Sequence, residues 1–129
     1  MKVTDYFESL EKSLRQNANI VRVDQPQAYL ISDDFNGLLK CRVHFWDDSF
    51  LDIYEVVNTE LGYPIRVHYA YTYLQAEKQL FRYDNAPHHS EIVTFPHHKH
   101  ADFSSKPTPT DQPTLSQVLS EIEQELISK

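Results

Sequence analysis

Four successive segments in the middle of the chain alternate apolar and polar residues. They are Leu38–Phe45, Phe50–Val57, Ile65–Leu74 and Gln79–Asn85, and short polar stretches separate them. Successive side chains of a β-strand point to opposite faces, so this alternation predicts strands with one apolar face. Connections of this length favour antiparallel neighbours, because parallel pairing needs a crossover of about a dozen residues. The segments therefore predict an antiparallel meander.

Two shorter strands are predicted upstream, at Ile20–Val23 and Tyr29–Ser32, which brings the meander to about six strands. A hairpin turn is predicted to follow them in the segment DDFNG. Within it, Asn36 and Gly37 are residue types that tolerate the positive φ of tight hairpin turns.

A helix is predicted over residues 1–17, before the strands. Its apolar positions fall on one helical face: Phe7, Leu10 and Leu14. Asp5 is expected to cap this helix, with Glu8 at the reciprocal position of a capping box.

A second helix is predicted over residues 114–128, after a proline-containing loop or linker at 101–113. Thr114 is its expected cap, and Gln117 stands at the capping-box position. One stripe of this helix is apolar: Leu115, Val118, Leu119, Ile122 and Leu126. The stripe can pack on the chain's own sheet, or it can dock on a partner, either a second copy (a homodimer) or another protein.

A length of 129 residues with this pattern predicts a single α+β domain, with its sheet within residues 18–100.

The composition excludes several classes of protein. A net charge of −7, spread along the chain, disfavours broad electrostatic binding to DNA. The one cysteine, Cys41, excludes an internal disulfide and a multi-cysteine zinc site, and two glycines exclude a glycine-rich phosphate loop. Apolar runs are too short for a membrane span and the N-terminus is too polar for a signal peptide, so a cytoplasmic protein without membrane contact is expected.

The segment RYDNAPHHSEIVTFPHHKH, residues 82–100, contains five of the seven histidines. Histidine titrates near neutrality and is a common metal ligand, so the cluster indicates proton transfer, metal binding or anion binding. If the last residues are extended, His98 and His100 lie on one side and His97 and Lys99 on the other.

Alternation also predicts a polar sheet face. Its candidate members come from three strands: Arg42, His44, Arg66, His68, Arg82 and Asp84. Such residues can equally form a solvated surface with ordinary arginine–acid pairs.

The order of residues in RYDNAPHH and FPHHKH resembles the TumE-like family, the toxin components of prokaryotic type II toxin–antitoxin systems. The resemblance extends from about Leu38 onward and is closest between Arg82 and His100. It implies a growth-inhibiting toxin that a small, often DNA-binding antitoxin neutralises. It is also compatible with a nucleolytic role.

The leading hypothesis is therefore a ribonuclease-type toxin that needs no cofactor. Cleavage of RNA requires a base, an acid and cations near the phosphate. His98 and His100 are the expected acid–base pair, and Asp84 is expected to orient one imidazole. Arg82 and Lys99 are the expected phosphate ligands. Neighbouring residues are expected to bind the substrate: Arg66, His68, Tyr83, Asn85, His88 and His89.

Two other hypotheses stay open. In the first, a divalent metal is bound by a carboxylate and imidazoles drawn from Asp84, His89, His98 and His100, which gives a metal-dependent nuclease or phosphodiesterase. In the second, the chain is a non-enzymatic module that binds an antitoxin. RNA cleavage with and without EDTA separates all three.

Overall fold

The computed structural model describes residues 1–17, 21–22, 28–87, 89–102 and 106–128. Within these residues, a helix, seven strands and a second helix follow one another. Their bounds are α1 Val3–Gln16, β1 Ala28–Ile31, β2 Asn36–His44, β3 Phe50–Asn58, β4 Ile65–Gln75, β5 Lys78–Asp84, β6 His98–His100, β7 Thr108–Pro109 and α2 Leu115–Ile127.

The strands form one sheet in chain order, each antiparallel to the next. This confirms the predicted α+β meander between two helices. The sheet gains β6 and β7 from the segments predicted as a histidine-rich loop and a linker. These strands have three and two residues, too few to show a pattern of alternating apolar and polar residues in the sequence. Of the strand predicted at Ile20–Val23, Val21 forms a single bridge with Phe45, while Ile20 and Val23 lie outside the described residues.

The turn before β2 is built by a side chain rather than by positive φ angles. Asp33 Oδ1 accepts hydrogen bonds from the backbone N–H groups of Phe35 and Asn36, at 2.8 and 2.9 Å. The predicted positive φ at Asn36 and Gly37 is wrong, since both residues belong to β2 and have ordinary φ. Glycine is required at position 37 because a Cβ there would lie 2.8 Å from Phe7 Cε2.

Helix α1 begins one turn earlier than its predicted cap. Lys2 is the N-cap and makes no side-chain cap bond, while Asp5 lies in the first turn and its N–H donates to the Lys2 carbonyl at 3.1 Å. The predicted capping box of Asp5 and Glu8 is therefore wrong. The Asp5 carboxylate still interacts favourably with the positive end of the helix dipole.

Both helices contribute to one core on the same face of the sheet, which we call the helix face. Strand β3 alternates strictly between buried and half-buried residues along its whole length. The core joins α1 and α2 to the inward residues of β2–β5: Val3, Phe7, Leu14, Leu39, Val43, Leu51, Ile53, Val57, Tyr69, Tyr71, Tyr73, Phe81, Leu115, Val118, Leu119 and Ile122. The opposite surface, which we call the outer face, carries the polar alternate positions.

A β-bulge in β4 changes which face its first residues occupy. Val56 pairs with His68 but Val57 pairs with Arg66, so Val67 is an extra residue. An extra residue reverses the alternation beyond it. Arg66 consequently lies on the helix face, where Nη1 donates to the Tyr71 hydroxyl at 2.6 Å. Its predicted place on the polar face is wrong for this reason.

Helix α2 has the predicted start and the predicted apolar stripe. The Thr114 hydroxyl and the Gln117 side chain form the reciprocal capping box. Leu115, Val118, Leu119 and Ile122 are at most 5% exposed, so the stripe packs on the chain's own core. Neither helix in the described part of the chain has the length and apolarity needed to cross a membrane.

Candidate functional site

The register of three strands brings the polar residues near the end of the sheet together. Arg82 of β5 lies between Thr72 of β4 and His100 of β6. Asp84 likewise pairs with His98 of β6. Residues in register share a face, so Arg82, Asp84, His98 and His100 all belong to the outer face.

Asp84 is the most connected of these residues. Its side chain is 7% exposed, and its Oδ2 accepts a hydrogen bond from Arg82 Nε at 3.0 Å. Its Oδ1 accepts from the Ala86 N–H at 2.9 Å and also lies 2.9 Å from His98 Nε2. A buried carboxylate needs such partners, because its desolvation would otherwise be costly.

Arg82 is held firmly yet remains accessible. Besides its contact with Asp84, its Nη1 donates to Thr72 Oγ1 at 2.8 Å, while 40% of the side chain is exposed. A guanidinium with fixed orientation and an exposed edge is suited to bind a phosphate or carboxylate of a ligand.

Three imidazoles meet beside Asp84. His98 and His100 lie on the same side of β6, as predicted, with ring centroids 5.0 Å apart. His89, from the segment between β5 and β6, lies 5.0 Å from the His98 ring and 5.9 Å from the His100 ring. One ring nitrogen of each histidine lies within 4.8 Å of the others. We call Arg82, Asp84, His89, His98 and His100 the histidine cluster.

The three imidazoles differ in accessibility. His98 is 1% exposed, and its Nδ1 lies 2.9 Å from the Pro96 carbonyl oxygen. His89 and His100 are half-buried, and His89 Nδ1 lies 3.3 Å from Glu91 Oε1. The cluster is therefore closed on the side of His98 and accessible on the side of the other two rings.

Lys99 and Tyr83, both predicted site residues, lie on the helix face. Lys99 Nζ contacts Glu121 Oε2 at 2.8 Å, and the Tyr83 hydroxyl donates to Glu121 Oε1 at 2.6 Å. Because strand side chains alternate, Lys99 is turned away from its neighbours His98 and His100. The structure does not bring Lys99 or Tyr83 to the histidine cluster.

His97 also points away from the cluster. Its Nδ1 lies 2.8 Å from the Tyr69 hydroxyl and its ring stacks on Tyr69. Burial, together with the positive charge of Arg66, lowers the pKa of His97.

The remaining predicted substrate-binding residues are separated from one another. Asn85 is buried and bridges the bulge, because its Oδ1 accepts from the Tyr69 N–H at 2.9 Å and its Nδ2 donates to the Val67 carbonyl at 3.1 Å. His68 is exposed near the bulge, on the outer face. Arg66 is committed to the helix face, and His88 lies outside the described residues.

An open cleft of about 770 Å³ adjoins the cluster on the outer face. Charged, polar and apolar residues of β2–β5 line it, among them Lys40, Arg42, Asp52, Tyr54, Thr72, Leu74 and Arg82. Arg42 is paired with Asp52 through two hydrogen bonds, at 2.8 and 3.1 Å. Arg82 belongs to both the cleft and the cluster and so connects them.

Sequence reasoning missed three residues that organise these surfaces. Thr72 orients Arg82 and Glu121 holds Lys99, and neither role can be seen without the register or the helix position. The third, Glu55, is fully buried and accepts hydrogen bonds from the Tyr6 and Tyr71 hydroxyls at 2.5 and 2.6 Å. In the sequence, Glu55 occupies a position at which β3 otherwise has apolar residues, and this was a visible signal of a buried carboxylate.

The family model described as Toxin TumE matches residues 10–126. No curated protein and no solved structure matches the chain.

Proposed function

Because this chain belongs to the TumE toxin family, we propose that it is a toxin that cleaves RNA and that the histidine cluster is its active centre. The observation that carries the proposal is the position of Arg82. Its guanidinium is fixed and 40% exposed, it contacts the carboxylate of Asp84, and Arg82 pairs with His100 of the histidine cluster. Cleavage of a phosphodiester needs this combination of a cation for the phosphate and groups that can activate a nucleophile.

Arg82 is the proposed ligand of the scissile phosphate. Its hydrogen bonds to Thr72 and Asp84 fix the guanidinium plane and leave part of its edge exposed. A pre-oriented cation stabilises the charge that develops on the phosphate without having to reorganise during the reaction.

The outer-face cleft is the proposed path of the RNA strand. Lys40 supplies positive charge there, Arg42 is paired with Asp52, and Tyr54 supplies a ring on which a base can stack. The chain as a whole has a net charge of −7, so attraction of RNA depends on this local surface rather than on net charge.

The two histidines of β6 have different proposed roles. His100 is half-buried and is assigned a contact with the substrate. His98 is 1% exposed, so direct proton exchange between this ring and RNA would require the cluster to open. We assign His98 a positioning role, which differs from the acid–base pair expected from the sequence.

A family of toxins also implies an antitoxin partner. The proposed active centre is accessible through His89, His100 and Arg82, so a protein that covers these side chains would block substrate entry.

Incubation of purified protein with RNA tests the proposal, with growth inhibition measured in parallel. The wild type should cleave RNA, and Arg82→Ala and His100→Ala should each lose cleavage and toxicity by at least tenfold while remaining folded. Arg15→Ala and His44→Ala are matched controls, because Arg15 also has an acidic neighbour, Glu11, and His44 is a half-buried histidine away from the cluster. Both should match the wild type.

Growth inhibition without cleavage of any RNA would overturn the nuclease proposal and favour a module that acts by binding alone. Equal loss of activity in the control variants would show that the cluster has no special role.

A further inference from the structure

We propose that the histidine cluster binds one divalent transition-metal ion through His89, His98, His100 and Asp84. The site itself can be tested without reference to any activity, and its role in RNA cleavage rests on the function proposed above. Three nitrogen ligands and one oxygen ligand suit an ion of the zinc, cobalt or nickel class, whereas magnesium and calcium prefer sites made of oxygen alone.

The first argument concerns the orientation of His98. Its Nδ1 lies 2.9 Å from the Pro96 carbonyl oxygen, which can only accept a hydrogen bond, so Nδ1 carries a hydrogen atom. Imidazoles that bind metals commonly donate their second N–H to a backbone carbonyl or a carboxylate in this way. Nε2 of His98 is then the nitrogen directed into the cluster.

The second argument is the contact between that nitrogen and Asp84. Nε2 of His98 lies 2.9 Å from Asp84 Oδ1, so a nitrogen and an oxygen that can both bind a metal lie side by side. One cation can be shared by these two atoms. Metal–nitrogen and metal–oxygen bonds of about 2.0–2.2 Å place two ligand atoms about 3.4 Å apart in tetrahedral geometry, so a small movement would bring both atoms onto one ion.

The third argument concerns the other two imidazoles. Ligand atoms of His89, His98 and His100 all lie within 4.8 Å of one another, so small side-chain rotations bring them onto one centre. His89 Nδ1 lies 3.3 Å from Glu91 Oε1, a carboxylate–histidine pair like those that surround many metal centres. Two of the three imidazoles therefore have an oxygen acceptor at Nδ1, as imidazoles that bind metals through Nε2 commonly do.

The burial of the cluster matches a site with open coordination positions. His98 and Asp84 form a closed side, with side chains 1% and 7% exposed, while His89 and His100 are half-buried. An ion held there would bind a phosphate oxygen or activate a water molecule next to Arg82. An ion would bring all three imidazoles onto one centre, as the 4.8 Å limit on their ligand atoms allows.

The experiment is a metal titration of protein purified without a polyhistidine tag and stripped of metal with EDTA. Bound Co²⁺ is followed by its visible absorption, and Zn²⁺ by calorimetry and by displacement of Co²⁺. We expect one ion per chain. His89→Ala and His100→Ala should each weaken binding at least tenfold, and His44→Ala should bind like the wild type. The two test variants change half-buried residues, so folding is retained, and circular dichroism checks this.

Failure of the wild type to bind Co²⁺ or Zn²⁺ would overturn the metal site, as would equal binding by both test variants. RNA cleavage measured on the same samples separates this result from the function proposed above. Metal binding without cleavage would support the site and overturn the nuclease. Cleavage that continues in EDTA, by protein that binds neither ion, would support the nuclease and overturn the site.

Discussion

Arg82 donates a hydrogen bond from Nη1 to the hydroxyl of Thr72, 2.8 Å away on the neighbouring strand. This bond and the contact with Asp84 together fix the guanidinium beside the imidazoles. Thr72 itself is nearly buried at 9% exposure, so its effect on a ligand is exerted through Arg82.

Thr72→Val should therefore reduce RNA cleavage by about tenfold, the size of effect seen when a supporting contact of an active site is removed. Valine keeps the shape of the side chain and removes the hydroxyl, so thermal stability should change little. Thr72→Ser restores the hydroxyl and should recover most of the activity. Measurement of kcat/KM for the three proteins checks this, and equal values for Val and Ser would contradict it.

The buried carboxyl group of Glu55 should give the protein an unusual dependence of stability on pH. Burial raises the pKa of Glu55, and this outweighs the hydrogen bonds from Tyr6 and Tyr71 that favour the charged form. The folded protein therefore holds this proton more tightly than the unfolded chain does. The contribution to stability is complete below the unfolded pKa of about 4.3 and is lost as the pH rises through the folded pKa.

The variant Glu55→Gln does not titrate at this position. The free energy of unfolding of the wild type, relative to this variant, should decrease from about pH 4 upward, by about 1.4 kcal/mol for each unit by which the pKa is raised. Urea denaturation across this range measures the difference. A difference that stays constant, or that increases with pH, would show that Glu55 is not held in its protonated form.

Gly37→Ala should destabilise the fold by about 1–3 kcal/mol, the usual cost of forcing an added methyl group into a packed core. The new Cβ would lie 2.8 Å from Phe7 Cε2 and 3.2 Å from the Leu30 carbonyl oxygen. Chemical denaturation measures the loss. The same substitution in a Phe7→Leu background should cost less, because the closest contact is then removed, and equal costs in both backgrounds would mean that Phe7 is not the obstacle.

Ile122→Ala should cost about 2–4 kcal/mol, because Ile122 is fully buried and its removal leaves a cavity in the core. Ile127 lies at the end of the same helix but is 69% exposed, so Ile127→Ala should change stability by less than about 0.5 kcal/mol. Thermal or urea unfolding compares the two. Similar small losses for both would mean that α2 is not packed on the sheet and would favour its docking on a partner.

The periodic parts of the fold could be predicted from the sequence, and the parts that depend on register could not. Alternation located β2–β5, and the apolar stripe located α2, because long regular segments repeat their pattern several times. Strand β6 has only three residues and β7 only two. β6 is placed in the sheet by its pairing with β5, and β7 by its pairing with β6. No local sequence pattern encodes these pairings.

The candidate site shows the same division. Local alternation predicted that His98 and His100 share a side and that Lys99 points away, and the structure has both. The sequence could not show that Lys99 would then face Glu121 of α2, because that contact joins residues 22 positions apart. For Arg66, alternation itself gave the wrong face, since one added residue at Val67 is invisible in the pattern of polar and apolar residues.

That added residue also determines where the chain places a positive charge. If the bulge were absent and Val57 paired with Val67, Arg66 would pair with Asn58, and its guanidinium would lie on the outer face with Arg82 instead of in the interior beside Tyr71. The interior would lose a cation that acts on Glu55 and its two tyrosines, and the outer face would gain one. A shift of one residue in the pairing of two strands, with no change in the sequence, would thus redistribute charge between the two sides of the sheet.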